Sequence, residues 1–125
     1  MRELRWPQPS LFLLGVVGVE ARAREIDREF LVMKGSTARR EGTRTWTSYK
    51  GLREQLVDEG KLVVSDQQDY YVFTEDVSFS SPSAGGAVGN AGNINGRTAW
   101  KTETGETYQQ WREKKLTAAD TDVTE

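Results

Sequence analysis

The stretch VEARAREIDREFLVMK, residues 19–34, decides the fold that the sequence predicts. Residues 19–25 alternate apolar and charged side chains, which is the period of a strand with one face toward a core and one toward water. Residues 26–29 are polar enough to turn, and residues 30–34 form a mostly apolar second strand that ends at Gly35. We therefore expect an antiparallel hairpin over residues 19–34.

Flanking segments add shorter elements to this hairpin. Residues 11–19 are rich in Leu and Val and indicate a strand or a bent pair of strands. Residues 35–47 are predicted to be a loop, after which Thr47 or Ser48 would cap a helix through Glu59. Gly60 stands where a left-handed helix end belongs.

The second half predicts two strands, a helix, a strand and a last helix. Residues 61–65 and 70–74 indicate strands, and Ser81 followed by Pro82 is typical of a helix start. That helix would run to about residue 90. After it, Asn95-Gly96 favours a tight reversal with positive φ. The remaining predicted elements are a strand over 97–102 and a helix over 108–115.

These elements predict a small single α+β domain of antiparallel hairpins with two to three short helices. We expect the domain at residues 11–116, an N-terminal extension at 1–10, and a disordered acidic tail at 117–125. The apolar run 11–19 is too short to cross a bilayer, so no membrane association and a cytoplasmic location are expected.

Composition excludes several kinds of chemistry. The 125 residues include no His and no Cys, so disulfides, zinc sites with sulfur or imidazole ligands, cysteine nucleophiles and Ser–His–Asp triads are impossible within the chain. We expect no catalytic residue, no metal and no cofactor. Two adjacent acid pairs, Asp58-Glu59 and Glu75-Asp76, leave a carboxylate-only hydrolase as a disfavoured alternative.

Charge is unevenly distributed along the chain. The formal net charge is −2, but residues 1–53 carry +5 and residues 54–125 carry −7. A near-neutral body argues against strong DNA binding by charge alone, yet it allows a local basic face. The densest basic stretch, residues 34–53, contains Trp46 and Tyr49, and cations beside flat rings suit a phosphate backbone with stacked bases. The alternative is a solvated loop whose two aromatic residues lie in the core.

A second candidate site lies at the predicted helix start. Ser81 and Ser83 offer hydroxyls there, at the positive end of the helix dipole, where an anion binds well. Arg97 and Lys101 on the following predicted strand would frame a bound phosphate. Simple caps, a turn at Asn95 and a core position for Trp100 are the competing interpretations. The predicted nucleic-acid-binding residues are Lys34, Ser36, Arg39, Arg40, Arg44, Ser81, Ser83, Asn95, Arg97 and Lys101.

Four segments in this order carry a family resemblance: FLVMKGSTAR, LREQLVDEGKL, YYVFTEDVSFSSPSAGGAV and NINGRTAWKTETGETY. Over about residues 12–108, the chain resembles a domain of unknown function often found C-terminal to GIY-YIG endonuclease modules. That domain is itself similar to restriction enzyme adenine methylase associated (RAMA) domains. The chain departs from the usual pattern at Gly85-Gly86, where two alanines are common, and it lacks the nuclease module itself.

The resemblance implies an accessory module that helps a partner protein, a nuclease or a methyltransferase, to engage DNA or modified DNA. The acidic second half of the chain favours a different interpretation, a protein-interaction adaptor in a defence or phage context. The two hypotheses differ in whether the domain itself binds DNA.

Overall fold

The computed structural model describes residues 10–67 and 69–123, with side chains as far as Leu116. This part of the chain forms two antiparallel sheets and four helices, in keeping with the predicted α+β class. The strands are β1 (Leu11–Leu14), β2 (Arg22–Ile26), β3 (Glu29–Val32), β4 (Thr37–Arg39), β5 (Leu62–Val64), β6 (Tyr70–Phe73), β7 (Val77–Phe79) and β8 (Trp100–Thr102). The helices are α1 (Lys50–Asp58), α2 (Pro82–Asn90), α3 (Gly96–Ala99) and α4 (Tyr108–Val123).

The predicted hairpin is confirmed as β2 and β3, the centre of the larger sheet. Ile26 pairs with Glu29 across a two-residue turn, in which Asp27 and Arg28 both adopt positive φ values of 53° and 70°. Two left-handed residues give the turn a twist that matches that of the strands. Added strands on both sides give the order β7-β3-β2-β1-β8.

The smaller sheet has the order β4-β6-β5 and includes two strands confirmed from the sequence, β5 and β6. The prediction of a loop over 35–47 is wrong in part, because Thr37, Ala38 and Arg39 pair with Val72, Tyr71 and Tyr70. Strand β7 was not predicted either. Both strands have only three residues, and their partners lie far away in the sequence, so local periodicity does not reveal them.

Aromatic side chains fill the space between the larger sheet and the helices. Phe12 of β1 and Phe30 of β3, both on the inner face, have ring centroids 6.0 Å apart, and Trp100 packs against Phe30 at 5.0 Å. Tyr108 at the start of α4 joins this cluster and donates a hydrogen bond to Glu25 Oε1 at 2.5 Å. Arg112 holds the other oxygen of the same carboxylate at 2.7 Å.

Helix α2 contacts both sheets, and its residues 84–89 are all buried. Glycine allows this close packing. A Cβ built on Gly85 would lie 3.2 Å from Val32 and 3.3 Å from Phe79, and one on Gly86 would lie 3.0 Å from Ile94. The glycine-rich sequence that weakens this helix in isolation therefore suits its central position.

The remaining helix predictions hold in part. Helix α1 ends before Gly60, which is left-handed as expected, but it begins after Tyr49 rather than at a Thr47 or Ser48 cap. Helix α4 continues past Lys115 to Val123, into the segment expected to be a disordered tail.

Residues 1–9 of the predicted N-terminal extension lie outside the described residues. Within the described part, no helix combines the length and apolar character that crossing a membrane requires.

Candidate functional site

The predicted anion site at the start of α2 is occupied by the protein itself. Ser81 Oγ accepts the Ala84 N–H at 3.1 Å, and Ser83 Oγ accepts the Gly96 N–H at 2.9 Å. Helix α3 lies so close that a Cβ on Gly96 would come within 2.2 Å of the Pro82 carbonyl carbon. Both serines therefore have structural roles at this contact, and phosphate binding by them stays a prediction.

Arg97 and Lys101 do not share a strand as predicted, and Asn95 does not lie in the predicted tight reversal, because residues 96–99 form α3. Asn95 accepts the Arg97 N–H at 3.0 Å and so caps α3, whereas Lys101 lies on β8. Gly96 does not have the expected positive φ. Trp100 has the core position of the competing interpretation, and its Nε1 donates to Pro82 O at 2.9 Å. Asn95 and Arg97 are exposed at the start of α3, whereas the register of β8 points Lys101 away from the helices, so Lys101 does not frame the start of α2 with Arg97.

Ser36 is also structural, because its side chain is buried. Its Oγ accepts the Arg22 N–H at 3.0 Å and donates to Arg22 O at 3.3 Å, so it replaces a backbone partner of β2. The neighbouring Lys34 is exposed, and its N–H donates to Asp76 Oδ1 at 2.7 Å.

The basic stretch 34–53 folds around Trp46 and does not present its ring. Trp46 is 8% exposed, and Arg53 Cζ lies 5.3 Å from its ring centroid. The alternative that both rings lie in the core is therefore correct for Trp46, on which bases cannot stack, but wrong for Tyr49, which is 41% exposed. Arg40 and Arg44 are exposed, while Arg39 Nη2 reaches Val17 O at 3.4 Å.

Arg53 itself is inside the protein, 5% exposed. Its guanidinium donates to Val88 O at 3.1 Å and to Arg40 O at 2.6 Å, between the rings of Trp46 and Tyr71. Burial lowers the pKa of this guanidinium, and the Coulombic interaction with Tyr71 opposes that shift. Val88 lies in the last turn of α2, so the cation stabilises the negative end of that helix.

The two acid pairs have local partners. Glu59 ends α1 and forms an ion pair with Lys61 at 3.2 Å, and Asp76 accepts the Lys34 N–H. The hydrogen bond from Gln55, followed by that from Lys61, lowers the pKa of the Glu59 carboxyl.

A basic surface that sequence reasoning largely missed lies on the outer face of the larger sheet. Leu13 pairs with Lys101 on one side and with Arg22 on the other, so these three residues form one row across β8, β1 and β2. Leu11 pairs with Arg24 in the next row, and Arg24 pairs with Leu31. Because alternate residues point to the same face, all six side chains point away from the helices. We call this surface the basic sheet face.

Exposure supports the assignment of the basic sheet face. Arg22 and Lys101 are exposed, Arg24 is half-buried, and Leu13 is 39% exposed. At one side of the face, a concavity of about 450 Å³ is bordered by Leu13, Arg22 and Glu20. The alternation of residues 19–25 predicted that Arg22 and Arg24 share a wet face, but only the register showed that Lys101 joins them.

Fold and surface define a class of protein: a small α+β domain with its helices on one face of a five-stranded sheet and a basic second face. Within that class, the chain belongs to a family described as a domain of unknown function (DUF4357), whose family model matches residues 12–112. No curated protein and no solved structure matches the chain. The predicted family of unknown function is thereby confirmed, while the links to GIY-YIG endonucleases and RAMA domains stay predictions.

Proposed function

We propose that this domain is a non-catalytic accessory module that binds DNA through the basic sheet face. The observation that carries the proposal is the register, which places the exposed Arg22 and Lys101 on the side of the larger sheet opposite the helices. Cations grouped in this way neutralise phosphates and release counterions, which is the main source of affinity in sequence-independent binding. The resemblance to modules that accompany nucleases and methyltransferases supports the same role, in which the domain positions a partner enzyme on DNA.

The test compares two triple variants with equal loss of charge. Arg22→Gln, Arg24→Gln and Lys101→Gln together remove the cations of the basic sheet face. Lys34→Gln, Arg44→Gln and Arg97→Gln remove three cations that the sequence predicted to bind but the structure places elsewhere. Fluorescence anisotropy with a labelled duplex at low salt measures the dissociation constant of each.

We expect the sheet-face variant to bind at least about tenfold more weakly than the unchanged protein, because it loses the phosphate contacts of the exposed Arg22 and Lys101. The control variant should bind within about threefold of the unchanged protein, since it loses only long-range attraction. Equal loss in both variants would place the interface elsewhere. Absence of binding by the unchanged protein at low salt would reject DNA binding altogether.

A specific feature also favours a protein-interaction adaptor as the second candidate function. Leu13 and Ile26 are about two-fifths exposed on the same face as the cations, at 39% and 41%. Apolar side chains rimmed by charge are typical of protein interfaces. A flat DNA titration, together with nucleic-acid-free capture of a partner that the sheet-face variant no longer captures, would favour this function.

A further inference from the structure

We propose that a cavity beside helix α1 binds a small zwitterion, such as a free α-amino acid with an aliphatic side chain. The cavity has a volume of about 230 Å³ and is lined mainly by residues of α1, with Tyr71 of β6 on another side. These elements are not part of the basic sheet face, so the proposal does not depend on DNA binding. Three observations carry it: a buried arginine with donors to spare, unpaired charges of both signs, and small, partly aromatic walls.

Arg53 is the least exposed residue that lines the cavity, at 5%. A guanidinium has five N–H donors. Within the described part of the chain, the hydrogen bonds of Arg53 go to Val88 O and Arg40 O, so the other three donors have no protein acceptor there. Buried donors are nearly always paired with protein, water or a ligand. A carboxylate in the cavity would accept from such donors, and hydrogen bonds between two ionised groups are the stronger kind.

Ionised side chains of both signs also line the cavity. Lys50, Glu54 and Asp58 follow one another at intervals of four residues, so they form one stripe along α1. None of the three makes an ion pair or a side-chain hydrogen bond with another described residue, although Lys50 Nζ lies 5.5 Å from the Trp46 centroid. Glu54 and Asp58 moreover repel each other at this spacing. A ligand with a single charge would compensate only one part of the stripe.

The order of these charges along α1 suits a zwitterion. Lys50 and Arg53 come first and form the cationic side of the cavity, whereas Glu54 and Asp58 come later and form the acidic side. With a rise of 1.5 Å per residue, Lys50 and Glu54 are about 6 Å apart along the axis. A carboxylate can therefore face Lys50 and Arg53 while an ammonium on the same small molecule faces Glu54 and Asp58.

The size and the walls of the cavity restrict the ligand further. Pockets for drug-sized ligands have about 300–1,000 Å³, so a cavity of about 230 Å³ suits a smaller molecule. The rings of Trp46 and Tyr71 and the side chain of Val57 offer apolar contacts. An inorganic ion would not use these contacts, whereas the aliphatic side chain of an amino acid would.

The experiment compares norvaline with two analogues of the same carbon chain length. Pentanoate lacks the ammonium, and pentylamine lacks the carboxylate. Titration of each into isotope-labelled protein, followed by nuclear magnetic resonance through the indole N–H of Trp46, gives the dissociation constants and shows that the protein stays folded. We expect norvaline to bind at least about tenfold more tightly than pentylamine, which has no acceptor for Arg53. It should bind about threefold more tightly than pentanoate, because exposed carboxylates attract an ammonium only weakly.

Variants of the stripe test which charge of the ligand each side recognises. Lys50→Gln should weaken norvaline binding about threefold and leave pentylamine binding no weaker. Glu54→Gln with Asp58→Asn should also weaken norvaline binding about threefold but should strengthen pentanoate binding, since two repelling carboxylates are gone. Glu59 and Lys61 form an ion pair outside the cavity, so Glu59→Gln and Lys61→Gln are matched controls that should change each dissociation constant by less than about twofold.

Two outcomes would overturn the proposal. Equal binding of norvaline and pentanoate would show that the cavity recognises a carboxylate and not a zwitterion. An unchanged Trp46 indole resonance up to about 50 mM norvaline, in a protein whose spectrum shows it to be folded, would show that the cavity is not a binding site for this class of ligand. Neither outcome would affect the proposed binding of DNA, which uses a different surface.

Discussion

At the scale of single residues, Arg53 is the charged side chain on which the interior of the domain depends. It joins α1, the carbonyl end of α2 and the segment before Trp46 through two hydrogen bonds and two ring contacts. Burying a guanidinium without these acceptors would cost the free energy of its lost hydration. The side chain is therefore stable inside the protein only because the two carbonyls accept its hydrogen bonds.

Replacing Arg53 should test this dependence. Arg53→Ala leaves two buried carbonyls without a donor and a void between two rings, so we expect the free energy of unfolding to fall by about 3 kcal/mol or more. The free energy of unfolding of Arg53→Lys should lie between that of the unchanged protein and that of Arg53→Ala, because an ammonium retains the charge but lacks the planar fork. Urea titration followed by tryptophan fluorescence gives the values.

Lys50→Ala is the matched control for Arg53. Lys50 Nζ lies 5.5 Å from the Trp46 centroid, but the residue is exposed. Its loss should cost less than about 1 kcal/mol. A difference of less than about 1 kcal/mol between the Arg53→Ala and Lys50→Ala proteins would show that Arg53 is not the centre of this packing.

Tyr108 makes a second residue-scale prediction, which concerns pH. Burial, followed by the hydrogen bond to Glu25, raises the pKa of Tyr108 from 10.0 to about 12. Because the pKa in the folded protein exceeds that of the unfolded chain, the stability this tyrosine contributes is complete below pH 10 and is lost as the pH rises through 12.

The Tyr108→Phe protein should therefore lose less stability than the unchanged protein between pH 10 and pH 12. Urea midpoints across this interval, with Tyr49→Phe as an exposed control, provide the measurement. Parallel curves for the unchanged and Tyr108→Phe proteins would contradict the raised pKa of Tyr108, whose main cause is burial.

At the scale of elements, the contact between α3 and the start of α2 depends on one glycine. Gly96→Ala would place a Cβ 2.2 Å from the Pro82 carbonyl carbon, so the two elements must separate. We expect a loss of about 1–3 kcal/mol, typical of overpacking. Thermal and urea unfolding measure it.

Gly51→Ala gives the opposite expectation. A Cβ on Gly51 meets nothing within 4 Å, and the residue lies in the first turn of α1. Alanine should raise the free energy of unfolding by about 0.5–1 kcal/mol, because it restricts the unfolded chain without a clash. If Gly96→Ala and Gly51→Ala changed the free energy of unfolding in the same direction, the close approach to Pro82 would not explain the glycine at position 96.

These elements also show what the sequence alone could predict. The β2–β3 hairpin and the Ser81–Pro82 helix start were predictable, because alternation and capping are properties of neighbouring residues. Strands β4 and β7 were not, since Thr37 and Val77 find their partners only after the chain has folded back. Asn95-Gly96 was misread because the same pair suits a tight reversal and a helix cap, and the choice depends on the distant Pro82.

In the candidate site, too, the sequence predicts what depends on neighbouring residues and misses what depends on distant partners. Sequence reasoning named Lys101 and placed Arg22 and Arg24 on one wet face, but it grouped Lys101 with Arg97. The pairing of Leu13 with both neighbours is a long-range fact, and a register shift of one residue would have turned Lys101 to the other face. The sequence did not reveal that Ser83 accepts the Gly96 N–H, because that contact joins α2 to a distant helix.

At the scale of the whole molecule, net charge opposes the basic sheet face. A formal net charge of −2 repels DNA at distances beyond direct contact, while the local cations attract it on contact. The repulsion reaches about 30 Å at 0.01 M salt but only about 8 Å at 0.15 M. Net charge should therefore affect binding at low salt and have little effect at physiological salt.

This balance can be tested with two variants that change the net charge from −2 to +1. One carries Asp120→Asn, Asp122→Asn and Glu125→Gln near the end of the chain. The other carries Glu54→Gln, Asp58→Asn and Glu75→Gln, at exposed positions away from the basic sheet face. If net charge acts through the long-range field, both variants should associate with a duplex a few-fold faster at about 0.01 M salt and equally at 0.15 M. Stopped-flow association rates measure this directly.

A gain in association rate that is confined to the first variant and persists at high salt would contradict a long-range effect. It would mean that the acidic end of the chain competes with DNA for the basic sheet face, because only direct contact survives screening.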